Sequence, residues 1–367
     1  MTSFTDKHAA IALVLLTLAA FGPWIDNAFV ALDDNYLIYA NPAVQHITLG
    51  SVAHVFSTYD PQLYIPLTFL SWQINAAVFG INATAFHLVN LLLHCGNVVL
   101  VLLLLRRLGG NLFVAGVTAA LFAIHPLQTE AVLWAAGRKD VLSGFFALLS
   151  MLLYLRYRDD ERGRTLFWSV LCFALALLSK VSVVLLPGIF LLVDWLSDGR
   201  MRRRQILGKM PYGILSALFL AVAVVGKSRL LAQSGGIVNI LLPFRSTLFY
   251  LEKVFAPTGL SVIYPYRPSG SLLADFGAPV IVATLLGIVT LFLIVKRRRS
   301  WALAAGMFFL FLAPSYSTYF KNGFLYFASD RYVYLALIGA FWAAGFSSEK
   351  LEEFTRSISD KKNAFFS

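Results

Sequence analysis

Cysteine is nearly absent: Cys95 and Cys172 are the only two in 367 residues, and both lie inside apolar runs. That rules out a disulfide-stapled secreted fold and gives no support to a cysteine-based zinc site. Charge is scarce as well. Asp, Glu, Lys and Arg make up 13% of the chain, against about 25% in a soluble domain. No serine nucleophile elbow, phosphate-binding loop or glycine-rich dinucleotide fingerprint occurs, nor any internal repeat or low-complexity tract. Collagen-like, disordered, disulfide-rich and water-soluble enzyme classes are thereby excluded.

What remains is apolar. Hydrophobic residues are 59% of the chain, 31 of them Phe, and the mean hydropathy is +0.73. Ten runs approach the length of a membrane span: 8–24, 86–105, 111–125, 140–155, 165–179, 181–196, 211–226, 275–295, 301–314 and 331–346. The opening run at 11–20 has no clean small-x-small site after it and reads as a retained first span rather than a signal peptide. The sequence therefore predicts an all-α polytopic membrane protein of about ten transmembrane helices. The membrane domain covers 1–346, and 347–367 forms a short cytoplasmic tail.

The net charge of +11 does not point to nucleic acid, because the basic residues cluster just after apolar runs. RR at 106–107, RYRDDERGR at 156–164, GRMRRRQILGK at 199–209 and KRRR at 296–299 behave as cytoplasmic flanks of spans. With the N-terminus inside, twenty of the 30 Lys and Arg fall on that face. Three outer segments are long: 25–85, 227–274 and 315–330. Within them, YIPLTFLSWQINAAVFG at 64–80 and RSTLFYLEKVF at 245–255 read as amphipathic helices at the outer interface.

The orientation rests on Lys and Arg counts, so the other polar residues test it in part. Asp33 and Asp34, His125, Glu130, Arg138 to Asp140, Lys180, Lys227, Arg229, Asp330 and Arg331 all fall at the outer boundary. Ionisable residues there are costly and call for pairing or function. Arg138 with Asp140 and Asp330 with Arg331 fit local pairs at helix ends. Lys180 has no acidic neighbour in sequence, and fits either snorkelling or an anion. Asp194 reads as a charge at the inner end of its span. His87, Asn90, His94 and Asn97 share one helical stripe, which suits hydrogen bonding between helices better than a metal site.

Acids and cations at one leaflet suit sugar transfer from a lipid-linked phosphate. A carboxylate takes the proton of an acceptor hydroxyl, attack at the sugar carbon is oxocarbenium-like, and fixed cations stabilise the departing phosphate. With enough cations no metal or other cofactor is expected.

DDNYLIYANP at 33–42, PLTFLSWQIN at 66–75, FHLVNLLLH at 86–94, HPLQTEAVLWAAGRKDVLS at 125–143, LLSK at 177–180 and SDRYVYLALIG at 329–339 occur in order over most of the chain. In this the chain resembles the membrane region of the transmembrane and tetratricopeptide-repeat-containing O-mannosyltransferases and their bacterial relatives. These belong to the C-type (GT-C) glycosyltransferases. The resemblance implies a polyprenyl-phosphate sugar donor (mannose in the family), an inverting reaction, and a protein or glycan acceptor. It implies Asp34 or Asp33 as base, and Arg138, Lys180 and Arg331 at the donor phosphate, to which the outer Lys227 and Arg229 are added. His125 and Glu130 match its HP…E…GR motif and are expected to shape the pocket, together with Asp330, His87 and Tyr64. Family members often carry Arg or His where this chain has Ile65, and Glu or Pro where it has Val181; no tetratricopeptide repeats follow the last span in these residues. The expected location is a bacterial inner membrane with the site facing the periplasm or exterior, with no nucleic-acid partner. A lipid or glycan transporter or flippase, and a noncatalytic membrane subunit, are the alternatives weighed.

Overall fold

A computed structural model describes residues 4–59, 63–200, 203–226, 236–317, 320–321 and 324–346. Lys227, Arg229 and the tail lie outside the described residues. The chain is a bundle of apolar helices, and hence a multi-pass membrane protein. Helix α1 (Phe4–Phe21) opens it. Three helices fill the first outer segment: α2 (Pro42–Gln45), α3 (Leu49–Ser57) and α4 (Pro66–Phe79). There follow α5 (Ala83–Arg107), α6 (Leu112–Ile124), the single turn α7 (Thr129–Leu133), α8 (Arg138–Asp160) and α9 (Gly163–Ser179). The chain continues through α10 (Leu186–Asp198), α11 (Arg203–Gly226), α12 (Ile237–Phe255), α13 (Leu272–Val295), α14 (Arg299–Leu312) and α15 (Ala336–Phe346).

Each of the ten expected spans coincides with an apolar helix, but not all are long. Among the described residues, seven helices have the length and apolarity to cross a membrane, and an eighth candidate is the pair around His125, bent by 55°. The bend sits at Pro126, which has no backbone N–H to continue the α6 ladder. Helices α9 and α15 are shorter apolar segments. The expected last span begins late, because residues 330–333 form a 3₁₀ turn.

Two features depart from the expectation. First, the outer segments pair into a small antiparallel sheet, in which β1 (Tyr264–Pro265) and β2 (Phe320–Lys321) flank β3 (Phe324–Ala328). Strands of two to five residues give no periodicity to detect. Second, α4 turns its polar residues inward. Gln73 and Asn75 are buried, whereas Ile74, Val78 and Phe79 are more than half exposed. Gln73 donates to the Ala43 carbonyl at 2.7 Å, and Thr68 donates to the Ser179 carbonyl at 3.0 Å. Its polar groups thus fasten the helix to the protein and leave apolar side chains outside.

Helix contacts use small residues and hydroxyls, as expected where lipid removes the hydrophobic drive between helices. Ser150 donates to the Ser169 carbonyl at 2.8 Å and Ser169 to that of Ser150 at 2.7 Å, joining α8 to α9. Gly339 lies so close to α14 that a Cβ there would meet the Ala304 carbonyl oxygen at 2.3 Å. Three of the four residues of the His–Asn stripe of α5, all but His87, are used in the same way. Asn90 donates to the Trp134 carbonyl, Asn97 to that of Val141, and the His94 ring lies 2.8 Å from the Tyr334 hydroxyl.

The basic clusters gather at one end of the bundle. Arg106 pairs with Asp6 at 3.0 Å, Arg107 with Asp159, Arg204 with Glu161, and Arg297 donates to the Gly199 carbonyl at 2.6 Å. Asp194 is here fully buried and more than a helix-end charge. It accepts from Tyr154 at 2.7 Å and pairs with Arg158 and Lys209.

Candidate functional site

The opposite end collects the acids and cations that the sequence places at the expected outer boundary. The pairs form between elements, not along the sequence. Asp140, at the head of α8, pairs with Lys180 at the end of α9. Arg331 pairs with Glu130 of α7, which also accepts the Arg331 backbone N–H at 2.7 Å. The expected local pairs Arg138–Asp140 and Asp330–Arg331 are therefore replaced. Asp330 instead accepts from the Tyr264 hydroxyl of β1 at 2.9 Å. Its burial pushes its carboxyl up to about 6.

The first outer loop enters this cluster through its two acids, whose surroundings differ. Asp34 is fully buried. One of its oxygens accepts the Val30 N–H at 3.0 Å, and the other accepts the Ala136 N–H at 2.8 Å, which clasps the loop to the turn before α8. Burial pushes its carboxyl up to about 6, against these hydrogen bonds and the nearby Lys139 charge. Asp33 faces charged and phenolic groups instead: Lys139 lies 3.3 Å away, and the Tyr36 hydroxyl donates to it. Burial and the Asp33 carboxylate raise the Tyr36 hydroxyl above the usual phenol range, while the Arg331 charge opposes that rise. Sequence reasoning left Lys139 and Tyr36 unassigned and paired Asp140 only with Arg138. Lys139 and Asp140 adjoin Arg138 in the quoted motif, but only the fold shows which partners they take.

Trp134 joins the two cation sets. Arg331 lies 4.9 Å and Lys139 5.5 Å from the centre of its ring, a cation–π arrangement that favours both head groups there. The backbone makes a tight turn here, and Gly137 is required for it. A Cβ at that position would sit 2.5 Å from the Ala131 carbonyl oxygen and 2.8 Å from that of Glu130.

Beside the cluster lies a cavity of about 490 Å³ between the turn that follows α9, helix α11 and the end of α14. Its walls are mostly apolar, with Leu185, Leu220, Val224 and Phe311 among them, and its charged lining residues are Asp140, Lys180 and Arg331. Lys180 and Arg331 flank the Tyr332 ring at 5.5 and 5.1 Å. The Arg331 Nε is buried with no hydrogen-bond partner among the described residues. The arrangement is amphipathic on the scale of a lipid: a greasy slot with two cations at one end.

Other expected site residues lie elsewhere. Arg138 does not line this cavity. It is fully buried, and its guanidinium is taken up by Asn90, Asn75 and the Phe86 carbonyl at 2.7–2.8 Å. That pins α4 and α5 to the head of α8. His125 lies 3.2 Å from the Val254 carbonyl and accepts the Leu127 N–H at the bend. His87 is buried beside the backbone of Asn27 and Ala28. Tyr64 donates to the Phe56 carbonyl at 3.0 Å and packs near Phe219 of α11.

The fold has a solved counterpart in the oligosaccharyltransferase of Archaeoglobus fulgidus, with a TM-score of 0.53 over 96% of this chain and 51% of that one, at 14% identity. At that identity the likeness is one of fold alone. The family model described as dolichyl-phosphate-mannose-protein mannosyltransferase matches residues 63–226. That stretch includes Lys139, Asp140 and Lys180 but neither acid of the first loop nor Arg331. Among curated proteins, the chain is 32% identical to protein O-mannosyl-transferase TMTC2 of Mus musculus over 232 residues, which is 61% of this chain and 28% of the relative. It is 29% identical to protein O-mannosyl-transferase TMTC4 of Homo sapiens over 269 residues, 65% of this chain and 34% of the relative. The chain thus spans about a third or less of the length of these relatives.

Proposed function

We propose that this protein transfers mannose from a polyprenyl-phosphate donor to a hydroxyl group of a protein acceptor, with inversion at the sugar carbon, on the membrane face opposite the basic clusters. The observation that carries this reading is the apolar cavity with Lys180 and Arg331 at its charged end. An isoprenoid tail suits its walls, and a phosphate monoanion or dianion suits the two cations. The unpartnered Arg331 Nε offers a donor that the phosphate can take without breaking an existing hydrogen bond.

In this reading Asp33 is the base, in preference to Asp34. Both Asp34 oxygens accept backbone N–H groups, which cannot exchange a proton with it, whereas those of Asp33 meet side chains that can, the Tyr36 hydroxyl and the Lys139 ammonium. The acceptor oxygen forms its bond to the sugar carbon as its proton passes to Asp33. The bond from that carbon to the phosphate oxygen breaks, and its electron pair leaves on the phosphate, where Lys180 and Arg331 stabilise the added charge. Attack from the face opposite the leaving group inverts the centre. Mannose and a protein acceptor follow from the likeness to protein O-mannosyl-transferases. The outward orientation follows from the positive-inside bias of the basic end.

The test is transfer of radiolabelled mannose from polyprenyl phosphomannose to acceptor peptides by the purified full chain. Asp33→Asn should lower turnover by about 10²–10⁴-fold while donor binding persists. Undiminished transfer by that variant would remove Asp33 from the mechanism. A wild type that uses no polyprenyl-phosphate sugar would remove the reaction itself.

A further inference from the structure

Resting on the donor assignment just made, we propose that Asp140 contacts the substrate: its Oδ1 holds Lys180 toward the phosphate while its Oδ2 accepts a hydroxyl of the donor sugar close to the anomeric carbon. Asp140 is 6% exposed and lies on the cavity wall with Lys180, Arg331 and Tyr332. Its Oδ1 is taken by the Lys180 ammonium. Its Oδ2 is buried and has no hydrogen-bond partner among the described residues. A buried carboxylate oxygen left unpaired is costly, and such groups in native proteins call for an explanation.

The chemistry of the missing partner is restricted. An ionised carboxylate accepts hydrogen bonds only, so the partner is a donor. A phosphate oxygen is repelled by Asp140 and attracted to the cations beside it. A sugar hydroxyl fits, because it donates and arrives attached to the phosphate that Lys180 holds. Since Asp140 touches that same lysine, the hydroxyl in question is near the anomeric carbon, with the 2-hydroxyl first. A hydrogen bond there also strengthens as charge develops on the ring in the transition state. Asp140 would thereby distinguish a glycosylated lipid phosphate from the bare lipid phosphate released as product.

The test is equilibrium binding to the full chain in lipid nanodiscs. Three lipids of equal chain length serve as probes: polyprenyl phosphomannose, its 2-deoxy analogue and sugar-free polyprenyl phosphate. Wild type should bind the parent at least about tenfold more tightly than the 2-deoxy analogue, as expected for a hydrogen bond to a charged acceptor. Asp140→Asn, which keeps the shape and an oxygen for Lys180, should erase that gap while still binding polyprenyl phosphate. A gap that survives in Asp140→Asn overturns the proposal, as does a wild type that binds the 2-deoxy analogue as well as the parent. The second result needs no variant and stands even if Asp140→Asn does not fold. A wild type that binds none of the three lipids overturns the donor assignment, and this inference with it.

Discussion

At Asp330 the cost of burial outweighs what opposes it. The Tyr264 hydroxyl, the Ser261 backbone and the Lys253 charge all favour the carboxylate, yet the carboxyl is pushed up to about 6 from an ordinary 3.8. A carboxyl whose folded value is raised favours the protonated form in the native state. The stability this gives is present below about pH 4 and is lost as pH rises through about 6. The loss is at most about 3 kcal/mol for a shift of this size. Asp330→Asn keeps an oxygen for Tyr264 and cannot ionise. Its thermal midpoint should therefore change less than that of wild type between pH 4 and 6, as measured by scanning fluorimetry in detergent. Equal slopes would show that Asp330 is solvated in the folded protein. Asp34 has the same raised value but two backbone donors, so an amide there would turn its NH₂ toward an N–H and lose the clasp.

The element that sets the site is the turn between α7 and α8. Within a few residues it presents Trp134 to two cations, the Ala136 N–H to Asp34, Arg138 to α4 and α5, Lys139 to Asp33 and Asp140 to Lys180. The turn closes on itself at Gly137, where a Cβ would overlap two carbonyl oxygens. Backbone atoms cannot move aside as the end of a side chain can. Gly137→Ala should cost about 1–3 kcal/mol, seen as a lower thermal midpoint. The proposed mannosyl transfer should fall further than the population of unfolded protein accounts for, because these charges are positioned by this turn. A variant of wild-type stability and activity would mean that the turn is looser than its geometry indicates.

Across the whole molecule, charge is separated end to end. Arg297 and its basic neighbours meet the ends of α8 and α10, while the acid–cation network meets their beginnings. With Cys95 and Cys172 replaced by Ala, a membrane-impermeant maleimide applied to intact cells should label Thr258→Cys and spare Arg298→Cys until the cells are lysed. Labelling of Arg298→Cys alone would invert the orientation and place the cavity's charged end inside.

The sequence by itself determined the membrane class, the apolar helices and their end-to-end charge asymmetry, because these depend on composition and on where runs of residues stop. It also brought Asp33, Asp34, Glu130, Lys180 and Arg331 to one boundary, since each sits where an apolar run ends. Tertiary structure alone decided the pairings. Asp140 reaches Lys180 across 40 positions and Glu130 reaches Arg331 across 201, distances at which sequence neighbourhood carries no information. It also turned Arg138 from an expected phosphate ligand into a buried clamp for α4 and α5, and separated the two adjacent acids by what their oxygens accept. The small sheet was invisible for the same reason: its strands are too short to show a period, and only pairing between outer segments defines them. The physical rule is that a residue's depth in the membrane is written in its local sequence, whereas its partners are chosen by packing.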